Sequence, residues 1–133
     1  MSSCDVATEY VEHIREGRYD EVGELFAENA IFYNPQGNIL RGRSAIGAFY
    51  SEFLGRLKPI LRGVRYVSDE AQQVCAFELE SRMSWTAACG WQNDPDAPFS
   101  MSAIDRITVN AAGKIQHMIV YTAPATRWQG EQA

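Results

Sequence analysis

Asp105 occupies a position where a carboxylate is out of place. The segment Met101-Ser102-Ala103-Ile104-Asp105-Arg106-Ile107-Thr108-Val109 alternates as a half-buried strand does, and Asp105 shares its apolar face with Met101, Ala103, Ile107 and Val109. An ionised carboxylate on such a face must be paired or cost several kcal/mol. Burial raises an Asp pKa, so the group can remain a neutral hydrogen-bond donor near neutral pH. A donor acid in an apolar pocket stabilises negative charge developing on a substrate oxygen. The plainer alternative is an Asp satisfied by a backbone amide or an arginine. Tyr10 is the second residue of this kind. It falls with Val6 and Ile14 on the apolar stripe of an N-terminal helix, where a phenol needs a partner unless it reaches the rim.

The elements that must position these groups can be read from periodicity and punctuation. Val6, Tyr10, Val11 and Ile14 recur at helical spacing, and Gly17 reads as the C-cap. Asp20 reads as the N-cap of a short second helix that buries Val22, Leu25 and Phe26. Ala30 to Asn34 reads as a short strand, stopped by the turn Asn34-Pro35-Gln36-Gly37. Ser44 caps a third helix whose apolar face carries Ile46, Phe49, Tyr50, Phe53, Leu54 and Leu57, and Lys58-Pro59 closes it. The remainder is β. One strand spans Leu61 to Ser68, and Asp69-Glu70-Ala71 turns the chain. A longer strand runs from Gln73 to Thr86, with Cys75, Phe77, Leu79, Met83 and Trp85 on one face and Glu78, Glu80 and Arg82 on the other. Trp91 to Pro98 reads as a loop that leaves Trp91 over the pocket mouth or exposed. The Asp105 strand, the turn Asn110 to Gly113 and a last strand from Ile115 to Thr122 complete the series, with a polar, frayed tail from Ala123. Helices followed by an antiparallel meander are an α+β pattern. The expected form is a curved, mostly antiparallel sheet wrapped around three helices, enclosing a cone-shaped apolar pocket.

Composition narrows the function classes. The 133 residues make a single domain over 1–133 with an ordered core over 6–122, and a 46% hydrophobic, 22% charged chain is ordinary for a soluble globular protein. A net charge of −5 without a Lys/Arg cluster argues against nucleic acid, and no segment has the length and apolarity of a membrane span. The first residues lack the basic and apolar regions of a signal peptide, which leads to the expectation of a cytoplasmic protein. Cys4, Cys75 and Cys89 are an odd, scattered set without a CxxC pair, and only His13 and His117 could add imidazole, so no metal is expected. Cys75 reads as a small hydrophobe, and free thiols fit a reducing compartment. His117 alternates with Met118 and Val120, and faces a sheet surface if those two face the pocket. Tyr33 points away from the pocket. Glu78 and Glu80 face solvent or a subunit interface.

The chain resembles the NTF2-like (SnoaL-like) superfamily, and within it the bacterial ketosteroid Δ5-isomerases. The resemblance runs over residues 6–122 through Tyr10-Val11, Gly17 with Asp20, Leu25-Phe26-Ala27-Glu28-Asn29-Ala30, Asn34-Pro35-Gln36-Gly37, Gly42-Arg43-Ser44-Ala45-Ile46, Phe49-Tyr50, Ala103-Ile104-Asp105 and Asn110-Ala111-Ala112-Gly113-Lys114. Tyr10 and Asp105 coincide with the isomerases' oxyanion-hole donors, a tyrosine paired with a protonated Asp; that chemistry comes from the family. The isomerases' general base is the Asp of an Asp-Pro turn, where this chain has Asn34-Pro35. A carboxamide cannot usefully accept a carbon-bound proton, although it can bind a carbonyl, hydroxyl or water. The resemblance implies cofactor-independent enol or enolate chemistry on a small hydrophobic carbonyl compound, with Tyr10, Asp105 and Asn34 as the catalytic set. It implies a wall of Phe32, Phe53, Met83, Trp85, Met101, Met118 and Val120, with core packing as the alternative for Met83, Trp85, Met101 and Met118, and a homodimer formed through the outer sheet face. A non-catalytic binding module for an apolar ligand and a polyketide cyclase or hydratase of the SnoaL-like type stand as alternatives.

Overall fold

Helix α1 (Ser3–Arg15) starts where Ser2 and Asp5 cap each other. The Ser2 hydroxyl accepts the Asp5 amide at 3.1 Å, and the Asp5 carboxylate accepts the Ser2 amide at 2.9 Å. The structure, a computed structural model, describes residues 2–122, so the tail from Ala123 lies outside the described residues. Glu16 is the C-cap of α1, and Gly17 at φ +75° turns the chain out of the helix. The next element is a 3-10 helix (Tyr19–Leu25) preceded by Arg18, without the side-chain cap expected of Asp20. Strand β1 (Phe26–Tyr33) begins at Phe26 rather than Ala30. The Asn34 to Gly37 turn then leads into β2 (Ile39–Arg41), a short strand that the alternation does not announce.

Helix α2 (Arg43–Leu57) is capped by Gly42, not Ser44, and its first residue is tied down when Arg43 Nε donates to the Phe26 carbonyl at 2.8 Å. The 3-10 helix packs on α2 through a glycine pair. A Cβ at Gly23 would lie 2.8 Å from the Gly47 Cα, closer than packed atoms approach, so Gly23 must be glycine to seat this helix, whereas a Cβ at Gly47 would make only ordinary contact with the Gly23 Cα at 3.6 Å. Gly47 lies one turn before Tyr50, and the close approach therefore fixes where the Tyr50 phenol is delivered.

The remaining strands are β3 (Leu61–Asp69), β4 (Val74–Thr86), β5 (Gly90–Asn93), β6 (Phe99–Val109) and β7 (Ile115–Thr122). They form one sheet in the order β2-β1-β7-β6-β4-β3, with β5 added beside β4. Among the described residues only β1 with β7 is parallel. The expected α+β architecture is found: three helices cover one face of an open, mostly antiparallel sheet. β5 corrects the reading of Trp91 to Pro98 as loop, because Gly90 at φ +71° allows a turn that pairs Trp91 with Trp85. Phe26, Phe32, Phe77, Ile107 and Met118 from the sheet meet Val6, Val11 and Ile46 from the helices in the core. Among the described residues no helix is long and apolar enough to cross a membrane.

Two findings revise the β-face and cysteine expectations. Leu79 pairs with Ala103 while Glu80 pairs with Met101, so Ser102 is an extra residue in β6, a β-bulge. The bulge reverses the alternation, which sends Met101 to the outer face with Glu80 and turns Ser102 inward. Cys4 and Cys75 are joined as a disulfide, with Cα atoms 5.3 Å apart, while Cys89 is free and exposed. This corrects the reading of Cys75 as a lone hydrophobe and withdraws the argument from free thiols to a reducing compartment. The bond ties α1 to β4 across 71 residues of sequence. Closing a span of that length restricts the unfolded chain, so Cys4→Ala is expected to lower stability by about 2–4 kcal/mol. Urea unfolding with and without reductant checks this: reductant should bring the wild type down to the variant and leave the variant unmoved.

Candidate functional site

Between α1, α2 and the inner sheet face lies a cavity of about 520 Å³. Its rim is the exposed turn that carries Pro35, Gln36 and Asn38, and Tyr10, Tyr50 and Asp105 sit in its most buried part. The sequence brings Tyr10 and Asp105 to this one cavity from opposite walls. Tyr10 comes from the buried stripe of α1. Asp105 comes from β6, where it is flanked on the same face by Phe77 of β4 and Val120 of β7.

The two groups differ in how they are satisfied. The Tyr10 and Tyr50 hydroxyls lie 2.8 Å apart, and the Tyr50 hydroxyl donates to Met118 Sδ at 3.6 Å. Tyr10 is held edge-on against both Tyr50 and Phe77, with ring centroids 5.8 and 5.9 Å away. Asp105 is 1% exposed, and among the described residues its Oδ1 has no hydrogen-bond partner. Removal from water is the cause that pushes its carboxyl up to about 8. Burial also holds Tyr10 well above the ordinary phenol range, helped by the charges of Tyr50 and Asp105. Tyr50 is raised in the same way, by burial and then by the Asp105 charge. At neutral pH all three groups keep their protons. The buried end of the cavity is therefore a cluster of neutral donors, and an oxygen that gains negative charge there would be stabilised.

Sequence reasoning misses Tyr50, because it lies on an apolar helix face. Its signal is present nonetheless: it carries the only hydroxyl on the buried stripe Ile46, Tyr50 and Leu54. Asn34 combines the two roles considered for it. Its Oδ1 accepts the Gln36 amide at 2.7 Å in a local turn, and the residue also lines the cavity.

Of the expected wall, Phe32, Phe53, Met83 and Val120 line the cavity. Trp85, Met101 and Met118 do not. Trp85 lies beyond the cavity, 37% exposed and opposite Trp91. Met101 is turned away by the bulge. Met118 is wholly buried behind Tyr50, whose hydroxyl it accepts. Glu78 and Glu80 pair with Arg65 and Arg62, and His117 and Tyr33 are exposed, in line with the outward placement read from the sequence. Ser81, Ser102 and Asn93 line the cavity without having been anticipated. Among the described lining residues Asp105 carries the only carboxyl, and there is no imidazole, amine or thiol beside it.

A family model described as a SnoaL-like domain matches residues 7–118. The chain belongs to the SnoaL-like family. Among solved structures it is similar to the epoxide hydrolase/cyclase-like enzyme SalBIII, described for its role in pyran ring formation in the polyether salinomycin. The TM-score is 0.70 at 24% identity, covering 91% of this chain and 90% of that one, a likeness in fold. No curated protein sequence matches the chain.

The buried acid of this SnoaL-like domain has a measurable consequence for stability. Between the ordinary carboxyl value of 3.8 and about 8, the unfolded chain has released the Asp105 proton while the folded chain keeps it. Stability therefore falls as pH rises through that window, by up to about 1.4 kcal/mol per pH unit, and levels off above it. Asp105→Asn is expected to be neutral at the acid end of the window and to gain up to about 4 kcal/mol at neutral pH, the slope taken over about three pH units, less whatever its unpaired amide costs. Chemical denaturation across the pH range checks this, and a loss of stability at neutral pH would mean that the carboxylate is ion-paired.

Proposed function

We propose that the cavity binds a small hydrophobic carbonyl compound and promotes enol or enolate chemistry of the steroid Δ-isomerase type, without a cofactor. The observation that carries this reading is the buried Asp105 carboxyl, whose Oδ1 has no partner among the described residues, together with the Tyr10–Tyr50 pair at the buried end of a largely apolar cavity. A carbonyl oxygen seated there takes hydrogen bonds from Asp105 and Tyr10. For Tyr10 to donate outward, Tyr50 turns its proton from Met118 to the Tyr10 oxygen. A thioether is a weak acceptor, so little is lost. The C–H bond next to the carbonyl then breaks, its electrons form the enolate double bond, and the negative charge settles on the oxygen between the donors. Water at the Asn34 turn accepts the proton and returns it further along the conjugated system, so the double bond migrates with no net gain or loss of atoms. Asn34 Oδ1 is engaged by Gln36, which leaves its amide nitrogen to hold that water.

A second reading, ring closure or opening assisted by Asp105 as a general acid, is favoured by one observation. The lining offers this neutral acid and no carboxylate, imidazole or amine to act as base. The similarity in fold to SalBIII points the same way.

The two are separated by restoring a base. Asn34→Asp is expected to raise turnover of a Δ5-3-ketosteroid by about 10²–10⁴-fold over wild type, the usual contribution of general-base transfer. In that background, Tyr10→Phe and Asp105→Leu are each expected to lower the rate by about 10²–10³-fold. If Asn34→Asp binds the steroid and gains no rate, proton abstraction is not the missing step and the enolate reading is wrong.

A further inference from the structure

The proposed carbonyl chemistry accounts for one end of the cavity, yet Ser81, Ser102 and Asn93 line its wall away from those donors. Their protons can be assigned from their partners. Ser102 Oγ donates to the Leu79 carbonyl at 3.2 Å, which commits its single proton because a carbonyl can only accept. Ser81 Oγ, 2.9 Å from Ser102 Oγ, is then the donor in that pair. Asn93 lies opposite Met83 on β5 and directs its amide nitrogen at the Leu57 carbonyl, an end group of α2 that needs a donor. That contact fixes the orientation of the amide. Asn93 Oδ1 is buried and, among the described residues, has no hydrogen-bond partner. Every hydroxyl proton here is committed within the protein, so apart from the second N–H of the Asn93 amide, oxygen lone pairs are what is left for a ligand.

We infer that Ser81, Ser102 and Asn93 form a second subsite that accepts a hydrogen bond from a ligand hydroxyl. This inference rests on the carbonyl reading of the Tyr10–Asp105 end and adds what stands at the ligand's other end. The cavity is polarised, with donors at the buried end and acceptors further along. Ser81 lies four residues along β4 from Phe77, which is the partner of Asp105. At about 3.3 Å per strand residue the two subsites are about 13 Å apart along the wall. The ligand class is a rigid apolar compound of about that length with a carbonyl at one end and a hydroxyl at the other. The bulge creates this selectivity, because regular alternation would have placed Met101 in the wall and Ser102 outside it.

Three steroid-shaped 3-ketones serve as probes, carrying at the opposite end of the ring system a hydroxyl, a carbonyl or hydrogen. Their dissociation constants are measured by isothermal titration with the full chain. The hydroxyl compound is expected to bind about tenfold more tightly than the carbonyl compound, the scale of one hydrogen bond made against one refused. In the Ser81→Ala/Ser102→Ala variant that ratio should fall to within about twofold, while affinity for the compound with hydrogen is retained, which also shows that the variant is folded. Equal or tighter binding of the carbonyl compound by wild type, or an unchanged ratio in the variant, would overturn the subsite. Failure of the carbonyl reading has a separate signature: Tyr10→Phe would leave affinity for the hydrogen-bearing ketone unchanged.

Discussion

The Asp105 carboxyl keeps its proton because Phe77 and Val120 flank it in the sheet and burial strips it of hydration, and the character of the cavity depends on that. An ionised Asp105 would repel electron density on a bound oxygen; the neutral acid attracts it. The same desolvation acts on the two phenols, so the cluster has one physical origin and not three tuned groups. Such a cluster opposes stability, since burying an acid without a partner is unfavourable. The aromatic packing of Tyr10 against Tyr50 and Phe77, and the seating of α2 through Gly23 and Gly47, supply the rigidity that keeps these side chains from turning toward solvent.

The sheet and helices divide the work. The helices supply the phenols, Tyr10 from α1 and Tyr50 from α2, while the sheet supplies Asp105 and, past the bulge, the serine pair. Because the Asp105 donor and the serine acceptors stand on one sheet wall, the spacing between them is set by strand rise and by one inserted residue. Removing that residue would restore regular alternation and exchange a polar wall for an apolar one. The chemistry at Asp105 would stay in place, since the bulge lies beyond it along β6.

Much of this was legible in the residues, and the failures share a cause. Asp105 and Tyr10 could be assigned because each sits in a regular segment where phase alone decides orientation. The same logic failed at Met101, since a bulge is a local break in phase that no hydrophobic pattern records. Met118 was placed on the correct face but not deep enough, because phase does not distinguish the lining of a cavity from the layer behind it. Tyr50 was hidden among Phe49, Phe53 and Leu54, whose apolarity set the reading of the whole stripe. The second helix was expected at Asp20 but runs as a 3-10 helix from Tyr19, preceded by Arg18 without a side-chain cap. The Cys4–Cys75 bond was out of reach because it depends on two elements meeting 71 residues apart in the chain.

That bond also gives the molecule a covalent topology that cuts across its cavity. The ring it closes contains Tyr10, Asn34 and Tyr50, whereas Ser81, Asn93, Ser102 and Asp105 hang on the open arm beyond Cys75. A peptide bond severed within the ring, at the exposed Pro35 to Asn38 turn for instance, leaves one covalent molecule with both walls still attached. The same cut in the exposed turn at Ala111 and Ala112 leaves β7, and Val120 with it, held only by its pairing with β6 and β1 and by packing, with no covalent link to the rest. The two halves of the site thus stand in different topological compartments of one chain, and only the helical half is held by a closed ring.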